Sequence, residues 1–212
     1  MLSYLPISVL FTCFAISGLT NAFNILDGLN GLSAGVFLIC QSSLGFIAYQ
    51  TGDSDLAITF FVIACSIGGF LLINFPFGKI FMGDGGAYLI GFILAWSAIL
   101  TSSRNPSVSP WACFLTCAYP IFEVLFSIGR RFKNKRSIKQ ADYLHLHSLL
   151  KQRFIKLNFL NQTAPTILLW CFSFMSTALA VIFSKDPAYL IAFITCFCTA
   201  YWIIYQELIL DK

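Results

Sequence analysis

The chain has 212 residues, 58% of them hydrophobic and only 10% charged, with a formal net charge of +4; an average soluble domain carries roughly 25% charged residues. That composition excludes a water-soluble globular domain. Nine of the thirteen Lys and Arg fall between Arg130 and Lys156, so the positive charge belongs to one loop, and with no soluble fold around that loop nucleic-acid binding is excluded as well.

Apolar runs recur at 3–20, 32–50, 56–75, 87–102, 111–128, 165–183 and 188–209, each near the roughly 20 residues that a spanning helix requires. The expected fold is all-α: a polytopic integral membrane helix bundle of about seven transmembrane helices, forming one membrane-embedded domain over 1–212. The linkers are short and rich in Gly, Pro, Asn and Asp, which leaves no room for a separate soluble domain. No positive region precedes the first run and no small-residue cleavage site follows it, so it does not read as a signal peptide. The eight cysteines lie in or beside apolar runs without a Cys-x-x-Cys pair and read as small buried hydrophobes.

The first run leads into Asn21-Ala-Phe-Asn24-Ile-Leu-Asp27-Gly28-Leu-Asn30-Gly31-Leu-Ser33-Ala-Gly35. On a helix, Asn21, Asn24, Gly28 and Gly31 follow one face with Asp27 beside them, which puts a carboxylate, two amides and a close backbone approach together. Gly31 and Gly35 form a small-x-x-x-small pair that admits a neighbouring helix. An Asp-Gly turn ending the helix is the simpler use of these residues. A calcium loop is discarded, because the further acidic ligands and the closing Glu are missing.

The segment Asn74-Phe-Pro76-Phe-Gly78-Lys79-Ile-Phe-Met82-Gly83-Asp84-Gly85-Gly86 runs directly into the fourth span. Asp84 stands where an N-cap belongs. Gly85 and Gly86 leave backbone N–H groups bare at a helix N-terminus, where donors and dipole favour phosphate, and Lys79 adds a positive charge. A carboxylate there would repel phosphate unless a divalent cation lay between them, and magnesium takes one or two carboxylates plus substrate phosphates. Asp84 is therefore the candidate metal ligand. The glycine spacing fits neither a Rossmann fingerprint nor a P-loop.

Glu123 lies inside the fifth run, where a carboxylate faces a cavity or a partner; Arg130 and Lys79 are the cations available to it. The basic loop, taken as 129–164, holds Asp142-Tyr-Leu-His145-Leu-His147, with the only two histidines of the chain. Zinc ligation would need an extended stretch and further ligands. Among Arg and Lys in a solvated loop, the imidazoles suit contact with an anionic phosphate or nucleotide. The Lys and Arg bias places this loop in the cytoplasm. Counting spans away from it puts 21–31 and 74–86 on the same side and 51–55, 103–110 and 184–187 on the other.

Asn21-x-x-Asn24-x-x-Asp27-Gly28-x-Asn30-Gly31, then Phe81-Met82-Gly83-Asp84-Gly85-Gly86, then Asp142-x-x-His145-x-His147, in this order, resemble glycosyl transferase family 4, the polyprenyl-phosphate N-acetylhexosamine-1-phosphate transferases. The resemblance implies a magnesium-dependent enzyme of the bacterial inner membrane with a cytoplasmic active face. A polyprenyl (undecaprenyl) phosphate would attack a UDP-N-acetylhexosamine, UMP would leave, and the product would enter cell-envelope polysaccharide, such as lipopolysaccharide, or cell-wall synthesis. It assigns Asp27 and Asp84 to catalysis, Asp84 to Mg2+, and Asn21, Asn24, Lys79, Gly85, Gly86, Glu123, His145 and His147 to substrate binding. Homodimerisation is left open.

Two departures stand out. Family members often carry Asp where this chain has Asn30, and an amide cannot serve as a base. The family's Asp-Asp segment lies upstream of the Asn-x-x-Asn motif, where this chain has twenty residues without an acid; an N-terminally truncated form, whose activity depends on the missing part, is expected. A catalytically inactive remnant and a membrane transporter are the alternatives. A transporter places its ionisable groups near the midplane, whereas these motifs gather at one face.

Overall fold

The computed structural model describes residues 5–133, 144–156 and 163–210, and all regular structure among them is helical: α1 (Leu5–Leu26), α2 (Leu32–Gln50), α3 (Ser54–Asn74), α4 (Gly83–Arg104), α5 (Pro110–Thr116), α6 (Ala118–Lys133), α7 (Leu146–Lys156), α8 (Thr163–Ile182) and α9 (Pro187–Leu210). Six of these are long and apolar enough to cross a membrane, and α5 with α6 makes up to a seventh span, bent by 75°. The chain is thus a multi-pass membrane protein. In lipid each backbone polar group must be satisfied within the chain, which is why apolar sequence of this length becomes helix.

The bend has a local cause. Pro120 has no N–H to donate to the Thr116 carbonyl one turn earlier, and that carbonyl instead accepts the Cys40 thiol from α2 at 3.1 Å. The uninterrupted apolar run 111–128 therefore folds as two helices and not as one straight span. The first run extends in the other direction: α1 continues to Leu26, placing Asn21 and Asn24 in its last two turns. The basic segment 129–164 is not a simple loop, since it holds the end of α6 and most of it beyond 144 is α7 or the start of α8.

Helix α2 forms the centre, buried on nearly every side from Leu32 to Ala48. Between lipid-embedded helices there is little hydrophobic drive, so association relies on close packing at small residues. A β-carbon on Gly35 would stand 2.2 Å from the Trp170 indole of α8, and one on Gly91 of α4 would stand 2.8 Å from the Thr20 backbone of α1. The Gly31/Gly35 pair thus admits the Phe75 and Trp170 rings.

The connections sort to two ends. At one, the Arg104 guanidinium pairs with Asp53 at 2.9 Å, the Thr51 hydroxyl donates to Asn105 at 2.9 Å, and the Ser109 N–H donates to the Ser184 carbonyl at 2.9 Å. The segments grouped on one side by charge counting meet there. At the other end the turn 27–31 meets the 75–82 segment and the start of α7.

Candidate active site

Helix α1 stops at Leu26, and the chain turns through 27–31 before α2 begins. Gly31 closes that turn at φ +75°, a conformation glycine adopts without steric cost, and its N–H donates to Asn74 Oδ1 at 2.6 Å. Asn74 is buried at the end of α3 and gives its own N–H to the Ile80 carbonyl at 2.7 Å. One amide therefore fixes the 27–31 turn and the 75–82 segment to each other. Asn30 adds a second tie, donating to the Pro76 carbonyl at 3.2 Å. Aspartate could not donate there, which gives the amide at this position a physical use.

That framework sets the two carboxyl groups at one helix-end cluster. Asn24 Nδ2 donates to Asp84 Oδ1 at 3.2 Å. The Ser33 hydroxyl donates to Asp27 Oδ1 at 2.6 Å. Partial desolvation raises the Asp27 pKa above the usual carboxylate range, the Ser33 hydrogen bond draws it back, and the charge of Asp84 raises it further. The two acids are thus close enough to repel. Asp84 lies in the first turn of α4, which begins at Gly83; it is not the N-cap, a place taken by Met82. Around Gly85 a β-carbon would meet nothing within 4 Å, whereas Gly86 has the Met82 side chain against it. Lys79 is exposed on the neighbouring segment. Asn21 is exposed too, with its amide turned back to the Ser17 carbonyl at 2.9 Å.

The histidines depart most from expectation. They are buried, not solvated: His145 is 8% and His147 4% exposed. Their rings stack in parallel, 5.5 Å apart at 6°, across the start of α7. Glu123, buried in α6, is their partner. Its Oε1 lies 3.2 Å from His145 Nδ1 and accepts the Leu146 N–H at 2.8 Å, while Oε2 accepts the Tyr201 hydroxyl at 2.9 Å. Glu123 therefore pairs with His145 and not with Arg130 or Lys79; Arg130 donates to the Leu144 carbonyl at 2.6 Å and to the Tyr205 hydroxyl.

His147 reaches across to the first motif. A β-carbon on Gly28 would stand 2.7 Å from its Nε2, so the ring packs on the turn that carries Asp27. Burial pushes the His147 pKa down to about 4, outweighing the opposite pull of Glu123, with His145 and Lys151 lowering it further. The imidazole is neutral at pH 7 and has one N–H to donate. Asp142, like Lys135, Arg136 and Lys139, lies outside the described residues.

The structure thus brings Asn24, Asp27, Asp84 and His147 to one end of the bundle, leaves Lys79 and Gly85 open beside them, and holds Glu123 and His145 behind them. Ser33, Asn74 and Tyr201 are contacts that sequence reasoning gave no role. Asn74 carried a usable signal, as an amide near the end of an apolar run. Among the described residues there is no cluster of three or more His, Cys, Asp or Glu that could hold a metal. The oxygen set fits magnesium: two mutually repelling carboxylates in an open place suit a hard cation that keeps most of its shell for water and phosphate.

A family model described as glycosyl transferase family 4 matches residues 2–102. The chain is 30% identical over 150 residues to the undecaprenyl-phosphate alpha-N-acetylglucosaminyl 1-phosphate transferase of Yersinia pestis, covering 68% of the chain and 41% of that protein. It is 35% identical over 146 residues to a probable undecaprenyl-phosphate N-acetylglucosaminyl 1-phosphate transferase of Bacillus subtilis, covering 68% and 40%. The Escherichia coli K12 transferase named as in Yersinia is 30% identical, over 68% and 41%. The chain spans about two-fifths of the length of these curated relatives.

Proposed function

Since the chain belongs to glycosyl transferase family 4, we infer that it serves the transfer of N-acetylhexosamine-1-phosphate from a UDP-sugar to undecaprenyl phosphate, at the cytoplasmic face of a bacterial inner membrane. A phosphate oxygen of the lipid bonds to the β-phosphorus of the UDP-sugar, and the bond from that phosphorus to the bridging oxygen breaks. UMP takes the electron pair, and the sugar phosphate stays on the lipid as a diphosphate for cell-envelope glycans. The observation that carries this reading is the convergence of Asp27 and Asp84 beside the open N-terminus of α4. A transporter reading gains nothing from Asp27 and Asp84 sharing one end of the bundle.

Asp84 would hold Mg2+, with Asp27 facing the same cluster. When bound, the cation would neutralise phosphate charge as it builds in the transition state. The residues of the chain do the rest by placement. Asn24 fixes the rotamer of Asp84 through its amide, and Ser33 does the same for Asp27. Gly85 leaves the backbone at the α4 N-terminus approachable by a phosphate, where the helix dipole favours negative charge. Lys79 adds an exposed cation, and the neutral His147 ring supplies a packed wall with one donor. Phosphoryl transfer asks mainly for such positioning and charge stabilisation.

The test is UMP release from undecaprenyl phosphate and UDP-N-acetylhexosamines in membranes that carry the protein, alongside calorimetric binding of each UDP-sugar to purified protein. Magnesium-dependent release or binding, lost with EDTA, is expected. A folded protein that neither binds nor turns over any UDP-N-acetylhexosamine would overturn the reading.

A further inference from the structure

The buried carboxylate of Glu123 has three donors on two elements. Leu146 N–H and His145 reach Oε1 from the start of α7, and Tyr201 of α9 reaches Oε2. A carboxylate in low-dielectric surroundings is stable there only with such donors, so moving either of these elements leaves the carboxylate unsatisfied. Tyr205, one turn beyond Tyr201 with its ring stacked on it at 11°, lies under Arg130, which donates to the Leu144 carbonyl. Residues 144–146 are therefore gripped twice from α9, once through Glu123 and once through Arg130.

We propose that Tyr201, acting through Glu123, is a positioning residue of the site: it holds the stacked His145 and His147 rings so that His147 covers Gly28 beside Asp27. The inference takes its functional consequence from the transferase reading, but its geometry stands apart from it. The chain of contacts runs from Tyr201 to Glu123, from Glu123 to His145, from His145 by ring stacking to His147, and from His147 to the turn after α1. Helix α9 thereby shapes a site whose acids come from the turn after α1 and from α4. Among the described residues no hydrogen bond holds His147: its Nδ1 is buried without a hydrogen-bond partner and lies 3.8 Å from Glu123 Oε1. Its place depends on packing against a ring that Glu123 fixes.

Because His145 and His147 are the only histidines, diethyl pyrocarbonate modification of the whole chain, purified with a histidine-free tag, reads their exposure directly. Slow modification is expected in the wild type. Tyr201→Phe should speed it on the order of tenfold, the effect of losing one hydrogen bond to a charged group, with a lowered melting temperature but a folded protein, and with a raised KM for the UDP-sugar. Glu123→Gln should do the same, and the double variant should exceed neither single one by much, because the two act through one contact. Unchanged reactivity in folded Tyr201→Phe would overturn the proposal, as would raised reactivity without any change in KM. Should the variants fail to fold, hydrogen exchange of the wild-type Leu146 amide decides: slow exchange supports the grip, and exchange at the rate of open backbone refutes it. If the wild type releases no UMP and binds no UDP-sugar, the transferase reading fails, and histidine reactivity alone decides the positioning.

Discussion

The imidazole of His147 packs on Gly28 so closely that a β-carbon there would stand 2.7 Å from Nε2. Two motifs separated by more than a hundred residues thus meet without a hydrogen bond between them, and the absence of a side chain at position 28 is what lets them meet. Gly28 is needed for space and not for backbone conformation, since its φ is not among the positive ones.

Gly28→Ala is therefore expected to displace the His147 ring. Overpacking of a filled site costs about 1–3 kcal/mol, which thermal unfolding of the purified protein would register as a modest loss. The effect on transfer should be larger, because misplacing a positioning group by about 1 Å can cost roughly a hundredfold. Wild-type UMP release by the alanine variant would show that His147 does not need its present position.

Asp84→Asn separates charge from shape. The asparagine oxygen can still accept the Asn24 amide, and repulsion of Asp27 is relieved, so the folded protein should be at least as stable as the wild type. A carboxylate holding a hard cation near phosphate contributes several kcal/mol, so UMP release should fall by roughly two orders of magnitude or more. Magnesium titrations of both proteins make the comparison. Equal magnesium dependence in the variant would remove Asp84 from the role of ligand.

Sidedness can be read without any activity. Lys79 and Ser54 are both exposed and belong to opposite ends of the bundle. In a background freed of the eight native cysteines, Lys79→Cys should react with impermeant maleimide only from the cytoplasmic side, and Ser54→Cys only from the other. Labelling of both from one side would contradict the bundle as well as the orientation. The Asp53–Arg104 pair is too exposed to decide stability by itself, since surface ion pairs contribute about 0–1 kcal/mol.

Much of this was legible because a bilayer makes sequence simple: apolar runs of sufficient length become spans, and the Asn, Asp and Gly between them become the ends that meet. The motif carrying Asn24 and Asp27 and the motif carrying Asp84 were recognisable from local pattern, and their convergence followed from counting spans. The break near Thr116 was harder to see, because Pro120 lies among residues as apolar as a straight span would have. The burial of His145 and His147 was not legible, since it depends on Glu123, some twenty residues before them, and Tyr201, more than fifty after. Loop residues rich in Arg and Lys read as solvated when their partners sit on distant helices. Asn30 illustrates the same point in reverse: read as a lost carboxylate, it is an amide whose donor is used, against the Pro76 carbonyl.

Acidification gives a test of the buried imidazole that needs no substrate. In the folded protein His147 takes up a proton only near pH 4, because burial disfavours its charged form more than Glu123 favours it; in the unfolded chain the same group protonates at the ordinary value of 6.5. Between those values the unfolded state binds more protons, so stability falls as pH is lowered from 6.5 towards 4 and is unaffected by this group above that window. At most about 3 kcal/mol is at stake for a shift of this size. Asp27 acts in the opposite sense: its raised pKa makes the folded protein bind a proton before the unfolded chain does, so its contribution to stability grows as pH falls through that raised value. The two are separated by substitution. The melting temperature of the wild type in detergent should drop between pH 7 and pH 4.5, and His147→Asn, which keeps a polar side chain without titrating, should flatten that drop while Asp27→Asn should steepen it. An identical pH profile for wild type and His147→Asn would mean that the imidazole is not held neutral by burial.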